Sequence, residues 1–170
     1  SAGTISATDF YVATENGTLY CFNNKTGSIL WIKELDDQIH APLLKIFRYI
    51  YAPSTSGKIY AVNMLDSNIA WIADLKEPIT QGVSLKINAL YAVTDKGSFA
   101  CIDSQDGRIL WNIATNTEIS TSPICGTEAI YFGDQKGQFF SYDYATGRQY
   151  FQTNYDQAFK SSLCFAYFDR

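Results

Sequence analysis

The chain has 170 residues, 46% of them hydrophobic and 15% aromatic, with a formal net charge of −4. That length suits one domain with a real core, and 18% charged residues is too few for a disordered polar chain. No Lys/Arg cluster is present, which argues against phosphate-directed nucleic-acid binding and against an anionic membrane surface; no apolar stretch approaches the length of a membrane-spanning helix.

From the N-terminus, short runs of Tyr, Phe, Val and Ile alternate with polar residues and are punctuated by turns. This pattern predicts strands, not helices. A first strand is expected around Ala2–Ser6 and a second at Asp9–Ala13, with Glu15-Asn16-Gly17 as the turn that follows. Thr18–Phe22 reads as a third strand, Asn23–Gly27 as another tight turn and Ser28–Lys33 as the next strand. The unit then recurs, with new first strands at Pro42–Ile46, Gly82–Ile87 and Pro123–Cys125.

The recurrence has a period of forty residues. Tyr11, Tyr51, Tyr91 and Tyr131 are in phase, as are Gly17, Gly57, Gly97 and Gly137. Trp31, Trp71 and Trp111 are also in phase, and Phe151 takes the fourth place. A period of this length marks a solenoid or a propeller. Four strands per unit predict an all-β propeller of four-stranded antiparallel blades. The blades are placed at about residues 2–41, 42–81, 82–121 and 122–160, and residues 161–170 begin the first strand of a fifth.

The segment before each tryptophan identifies the repeat. It reads Cys21-Phe22-Asn23-Asn24-Lys25-Thr26-Gly27-Ser28-Ile29-Leu30-Trp31 in the first unit and Cys101-Ile102-Asp103-Ser104-Gln105-Asp106-Gly107-Arg108-Ile109-Leu110-Trp111 in the third. The fourth keeps Ser141, Asp143, Thr146 and Gly147, and the second is degenerate, with Asn63, Asp66 and Ser67. This resembles the tryptophan-docking motif of the PQQ-like propeller repeats, and the resemblance spans essentially the whole chain. It implies that Trp31, Trp71, Trp111 and Phe151 sit in equivalent, mostly buried places between blades. It also implies that the turns carrying Gly27, Gly107, Gly147, Asp103 and Asp143 receive them. Rings of this repeat close with seven or eight blades, so completion by a second chain or by a further parent segment is expected. The run Leu163–Phe168 is apolar throughout, and its edge needs such cover.

The resemblance first suggests a quinone-dependent dehydrogenase. Those enzymes carry an adjacent cysteine pair beside the cofactor, and this chain has no Cys-Cys dipeptide. No cofactor or metal is therefore expected. Of the four cysteines, Cys21 and Cys101 occupy a small-residue slot on a strand, while Cys125 and Cys164 fall on first strands of neighbouring blades, where a disulfide is geometrically open. His40 is the sole histidine, so no histidine cluster can hold a metal, and no nucleophile-elbow motif supports a Ser–His–Asp site. What remains is surface. One face gathers Asp36, Asp37, Glu77 and Glu118, and the opposite face carries Phe47 and Arg48 near a hairpin tip. Both are candidate partner-binding positions. The resemblance implies a non-catalytic protein-interaction scaffold of the BamB-like, outer-membrane-assembly kind, located in the periplasm or cell envelope. A dehydrogenase fragment and a sensor or accessory domain are the alternatives.

Overall fold

A computed structural model describes residues 3–5 and 8–160; the expected fifth-blade strand, Cys164 and the Leu163–Phe168 run lie outside the described residues. Among the described residues, sixteen strands build four sheets of four. Blade 1 holds β1 (Gly3–Ile5), β2 (Asp9–Ala13), β3 (Thr18–Asn23) and β4 (Ile29–Glu34). Blade 2 holds β5 (Leu44–Ile46), β6 (Tyr49–Pro53), β7 (Lys58–Asn63) and β8 (Ile69–Asp74). Blade 3 holds β9 (Ser84–Lys86), β10 (Ala89–Val93), β11 (Ser98–Asp103) and β12 (Ile109–Ala114). Blade 4 holds β13 (Ile124–Cys125), β14 (Ala129–Gly133), β15 (Gln138–Asp143) and β16 (Gln149–Asn154). The first strands are shorter than the sequence suggests: β5, β9 and β13 start one or two residues after the anticipated Pro or Gly position.

Each sheet is an antiparallel meander, in the chain order of its strands. The forty-residue period therefore reappears as identical register. Tyr11 faces Cys21, Tyr51 faces Ala61, Tyr91 faces Cys101 and Tyr131 faces Ser141 across the second and third strands of each blade. A register shift follows at the same step in all four, between Cys21/Phe22, Ala61/Val62, Cys101/Ile102 and Ser141/Tyr142. It skips one residue of the fourth strand, bending that strand and re-aiming its side chains as bulges do.

The core lies between the sheets. Tyr11, Ala13, Leu19 and Cys21 of blade 1 pack against Ile50, Ala52, Tyr60 and Val62 of blade 2. The same positions recur between blades 2 and 3, as Tyr51, Ile59 and Ala61 against Leu90, Ala92, Ala100 and Ile102. They recur again between blades 3 and 4, as Tyr91, Val93, Phe99 and Cys101 against Ile130, Phe132, Phe140 and Tyr142. Alternation along a strand sends one set of side chains forward and the other backward, so every inner blade is apolar on both faces.

Candidate interaction surfaces

The docking tryptophans connect successive blades by a repeated hydrogen bond. Trp31 Nε1 donates to the Met64 carbonyl at 3.1 Å, Trp71 Nε1 to Ser104 at 3.1 Å, and Trp111 Nε1 to Ala145 at 3.3 Å. Each acceptor lies in the turn between the third and fourth strands of the following blade. The turn is shaped by its carboxylate or amide: Asp143 Oδ1 accepts from the Ala145 and Thr146 amides and the Thr146 hydroxyl. Asp103 and Asn23 play the same part, accepting from the Gln105 amide and from the Lys25 and Thr26 amides. The Tyr150 and Thr146 hydroxyls hold the partly buried Asp143 carboxyl down at about 2. Glycine closes the turn for a steric reason, because a Cβ at Gly107 would lie 2.5 Å from Trp71 Cε3.

Equivalence in place does not bring equal burial. Trp71 is 8% exposed, Trp31 and Trp111 are partly buried, and Phe151 is 45% exposed, which corrects the expectation that it is mostly buried. Trp71 is sheltered by blade 3, whereas no turn among the described residues receives Phe151.

In a four-stranded meander, the turns between second and third strands lie at the same end as the blade connections. This end carries the acidic candidates, and the structure divides them. Asp37 accepts hydrogen bonds from Ser56 and Tyr60 of the next blade. Burial works to raise its carboxyl, but these bonds, with those from Ser54 and the Gln38 amide, outweigh it and hold the group below the usual range. Glu77 accepts from the Thr94 hydroxyl at 2.5 Å, which is the main cause of its lowered value. Thr117 and the buried Asp134 form the third copy of the tie with donor and acceptor exchanged. Asp36 and Glu118 are exposed. Glu118 borders an open groove of about 820 Å3 whose walls include Pro78, Thr80, Asp95, Lys96 and Phe159.

The other end holds the first hairpin of each blade and the docking turns. Phe47, at the β5–β6 tip, is 81% exposed and adopts φ +51°. The adjacent Arg48 is exposed, with its guanidinium 5.3 Å from the Tyr49 ring. Ile87 holds the same place in blade 3, 66% exposed at φ +57°. Leu65 in the neighbouring docking turn is also exposed, and the Met64 amide ties that turn to the Arg48 carbonyl at 2.9 Å. Sequence reasoning named Phe47 and missed Ile87 and Leu65; the forty-residue offset between positions 47 and 87 was the available signal.

Residues 3–71 and 55–163 match a family model described as outer membrane protein assembly factor BamB, whose units are PQQ-type repeats. The chain belongs to this family. No curated protein matches it by sequence. Among solved structures, BamB from Moraxella catarrhalis is similar over 89% of this chain and 48% of its own, at 17% identity and a TM-score of 0.81. The computationally designed Ika8 protein is similar over 98% of this chain and 52% of its own, at 16% identity and a TM-score of 0.87. Quinohemoprotein alcohol dehydrogenase from Comamonas testosteroni is similar over 69% of this chain and 21% of its own, at 16% identity and a TM-score of 0.62. These likenesses show the propeller fold, and the chain spans about half the length of the first two structures.

Cys21, Cys101 and Cys125 are free thiols, and burial pushes Cys101 and Cys125 up to about 11. Such thiols stay protonated and unreactive at neutral pH. Among the described residues no group of three or more His, Cys, Asp and Glu is placed to hold a metal ion. No helix there is long and apolar enough to cross a membrane.

Proposed function

We propose that this BamB-type propeller segment is a non-catalytic protein-binding scaffold working in the periplasm or cell envelope. Its partner docks on the face that carries Phe47, Leu65 and Ile87. The observation that carries this reading is the pair of hairpin tips. A left-handed backbone costs an L-residue about 1–2 kcal/mol, and a β-branched residue there is a genuine outlier. Phe47 and Ile87 bear that cost while holding large apolar side chains in water. Neither side chain serves the core, so the strain points to a contact outside the chain. Arg48 beside Phe47 supplies a charged anchor, so the fitting partner offers an apolar pocket rimmed by a carboxylate. Asp36 and Glu118 offer a second, acidic contact on the opposite end, while Asp37 and Glu77 act by holding neighbouring blades together. The likeness to the alcohol dehydrogenase supports the fold alone, at 16% identity.

Photo-crosslinkers placed at positions 47 and 87, and at 118 as the comparison, test this in cells that make the protein. The expected result is one adduct of the same mass from both hairpin tips. A Phe47→Asn chain, relieved of strain and still folded, should lose that adduct at position 87. Unchanged crosslinking in Phe47→Asn, or no adduct from either tip, counts against the reading.

A further inference from the structure

The junction between blades 3 and 4 leaves a pocket of about 250 Å3 at the hairpin-tip end, beside Ile87. Ala89, Tyr91, Leu110 and Tyr144 stand among its walls, together with the charged Lys86 and Asp103. The forty-residue register shows what is different here. In blade 2, Tyr49 faces Ile46 and Asn63 across its neighbouring strands. In blade 3, Ala89 holds the same place and faces Lys86 and Asp103. The Tyr49 ring lies 6.2 Å from the Tyr51 ring and packs on the core between blades 2 and 3. Ala89 ends at a methyl, so position 89 lays no ring beside Tyr91. Tyr144 forms a side wall: its carbonyl accepts from the Tyr91 hydroxyl at 2.8 Å, and its ring lies 4.9 Å from Lys86 Nζ. A second exchange concerns the docking turn. In blade 4 the Tyr150 hydroxyl donates to Asp143 Oδ2 at 2.6 Å. In blade 3 Leu110 holds that position, so Asp103, whose Oδ1 accepts from the Gln105 amide at 2.8 Å, has no phenol from its own fourth strand. The pocket thus lacks two things that tyrosines supply elsewhere in the repeat, a ring at the second-strand position and a phenol donor for the turn carboxylate.

We propose that this pocket receives the side chain of a tyrosine carried by the polypeptide that docks on the hairpin-tip face. Its ring lies against Ala89 and Leu110, and its hydroxyl donates to the Asp103 carboxylate. Charge selects this occupant. Asp103 repels an acidic side chain. Lys86, whose ammonium is fixed by the Gly126 carbonyl at 2.5 Å, repels a basic one. A neutral phenol is opposed by neither and still brings a donor. A hydrogen bond to an ionised carboxylate is of the stronger kind, which favours tyrosine over phenylalanine. Tyrosine also carries a large contact area at a small cost in conformational freedom. The location fits the same partner, because the strained tip residue Ile87 is itself part of the pocket wall. A chain laid across the tips therefore passes the pocket mouth. The contact becomes reciprocal: this chain inserts Phe47 into its partner and takes an aromatic side chain in return.

The inference rests on the docking reading of the hairpin-tip face, and its test separates the two. N-acetyltyrosinamide and N-acetylphenylalaninamide are titrated into the purified 170-residue chain while the methyl resonances of Ala89, Leu110 and Ala145 are followed by NMR. The expected result is saturable perturbation centred on these methyls, about fivefold tighter for the tyrosine compound through its one added hydrogen bond. Asp103→Asn keeps the docking turn, since Asn23 and Asn63 accept the matching turn amides in blades 1 and 2. It should cut the preference for tyrosine to about twofold or less. Ala89→Tyr places in the pocket the side chain that blade 2 carries, and it should abolish binding of both compounds. In cells it should also remove the adduct formed from position 47. Where Ala89→Tyr does not fold, Asp103→Asn decides the matter. No perturbation by either compound, equal affinity for the two, or an unchanged preference in Asp103→Asn overturns the proposal. So does an adduct from position 47 that folded Ala89→Tyr leaves intact. Preferential binding of the tyrosine compound with no adduct from position 47 or 87 upholds the tyrosine pocket and overturns the docking partner instead.

Discussion

The indole nitrogen of Trp71 donates to the carbonyl of Ser104 at 3.1 Å, across the junction between the second and third blades. Trp71 is also the most buried of the four docking aromatics, and Tyr51 lies against it with ring centroids 5.7 Å apart. Truncating a buried aromatic typically costs about 3–5 kcal/mol. Trp71→Ala should therefore destabilise most, Trp111→Ala less and Phe151→Ala least, in the order of their burial. Glu118→Ala, an exposed charge, should stay within about 0.5 kcal/mol. Urea titration of the four variants checks the order; equal midpoint shifts for Trp71→Ala and Phe151→Ala would contradict the docking account.

Gly27 and Gly107 share a left-handed backbone, at φ +69° and +77°, but not their surroundings. Alanine at either position costs about 1–2 kcal/mol for the conformation. At Gly107 the new methyl also strikes the Trp71 ring, and overpacking adds about 1–3 kcal/mol. Gly107→Ala should thus lose clearly more stability than Gly27→Ala. The comparison cancels the backbone contribution, and thermal melts of the pair at one concentration read the remainder.

Ile87 is an exposed β-branched residue at φ +57°. Ile87→Gly should raise stability by about 1 kcal/mol, since glycine takes that conformation without the Cβ clash. Most substitutions destabilise, so a rise in the denaturation midpoint is diagnostic. A fall would mean that Ile87 makes a contact within the fold that outweighs its strain.

The Glu77 carboxyl is held below its ordinary value of 4.5, chiefly by the Thr94 hydroxyl. A depressed carboxylate contributes stability that is complete above the unfolded value and is lost as pH falls through the folded one. Acid should therefore weaken the wild-type chain more steeply below about pH 4.5 than it weakens Glu77→Gln, whose amide does not titrate. The two chains should differ most at neutral pH and converge at low pH. Parallel pH–stability curves would show that the Glu77–Thr94 tie does not depend on charge.

The repeat was legible in the sequence because a propeller blade is a local object. The alternation around Tyr11 and Tyr91, the Gly17 and Gly97 turns and the Trp31 and Trp111 phase all reflect contacts within one sheet or to the next one along. Contacts of that kind leave a fixed period in the chain, and the family followed from the same residues. Tertiary structure decided what the period hides. Phe151 occupies the tryptophan phase and is nonetheless exposed, because burial depends on the neighbouring blade and not on the residue's own sheet. Asp37 and Glu77 look like solvent-facing charges in a loop, but folding brings Ser56 and Thr94 of the following blades to their carboxylates. Ile87 is an ordinary strand residue by pattern, and only the backbone reveals that it is held out in water in a left-handed turn. Within a sheet, sequence separation and contact coincide. Between sheets they do not.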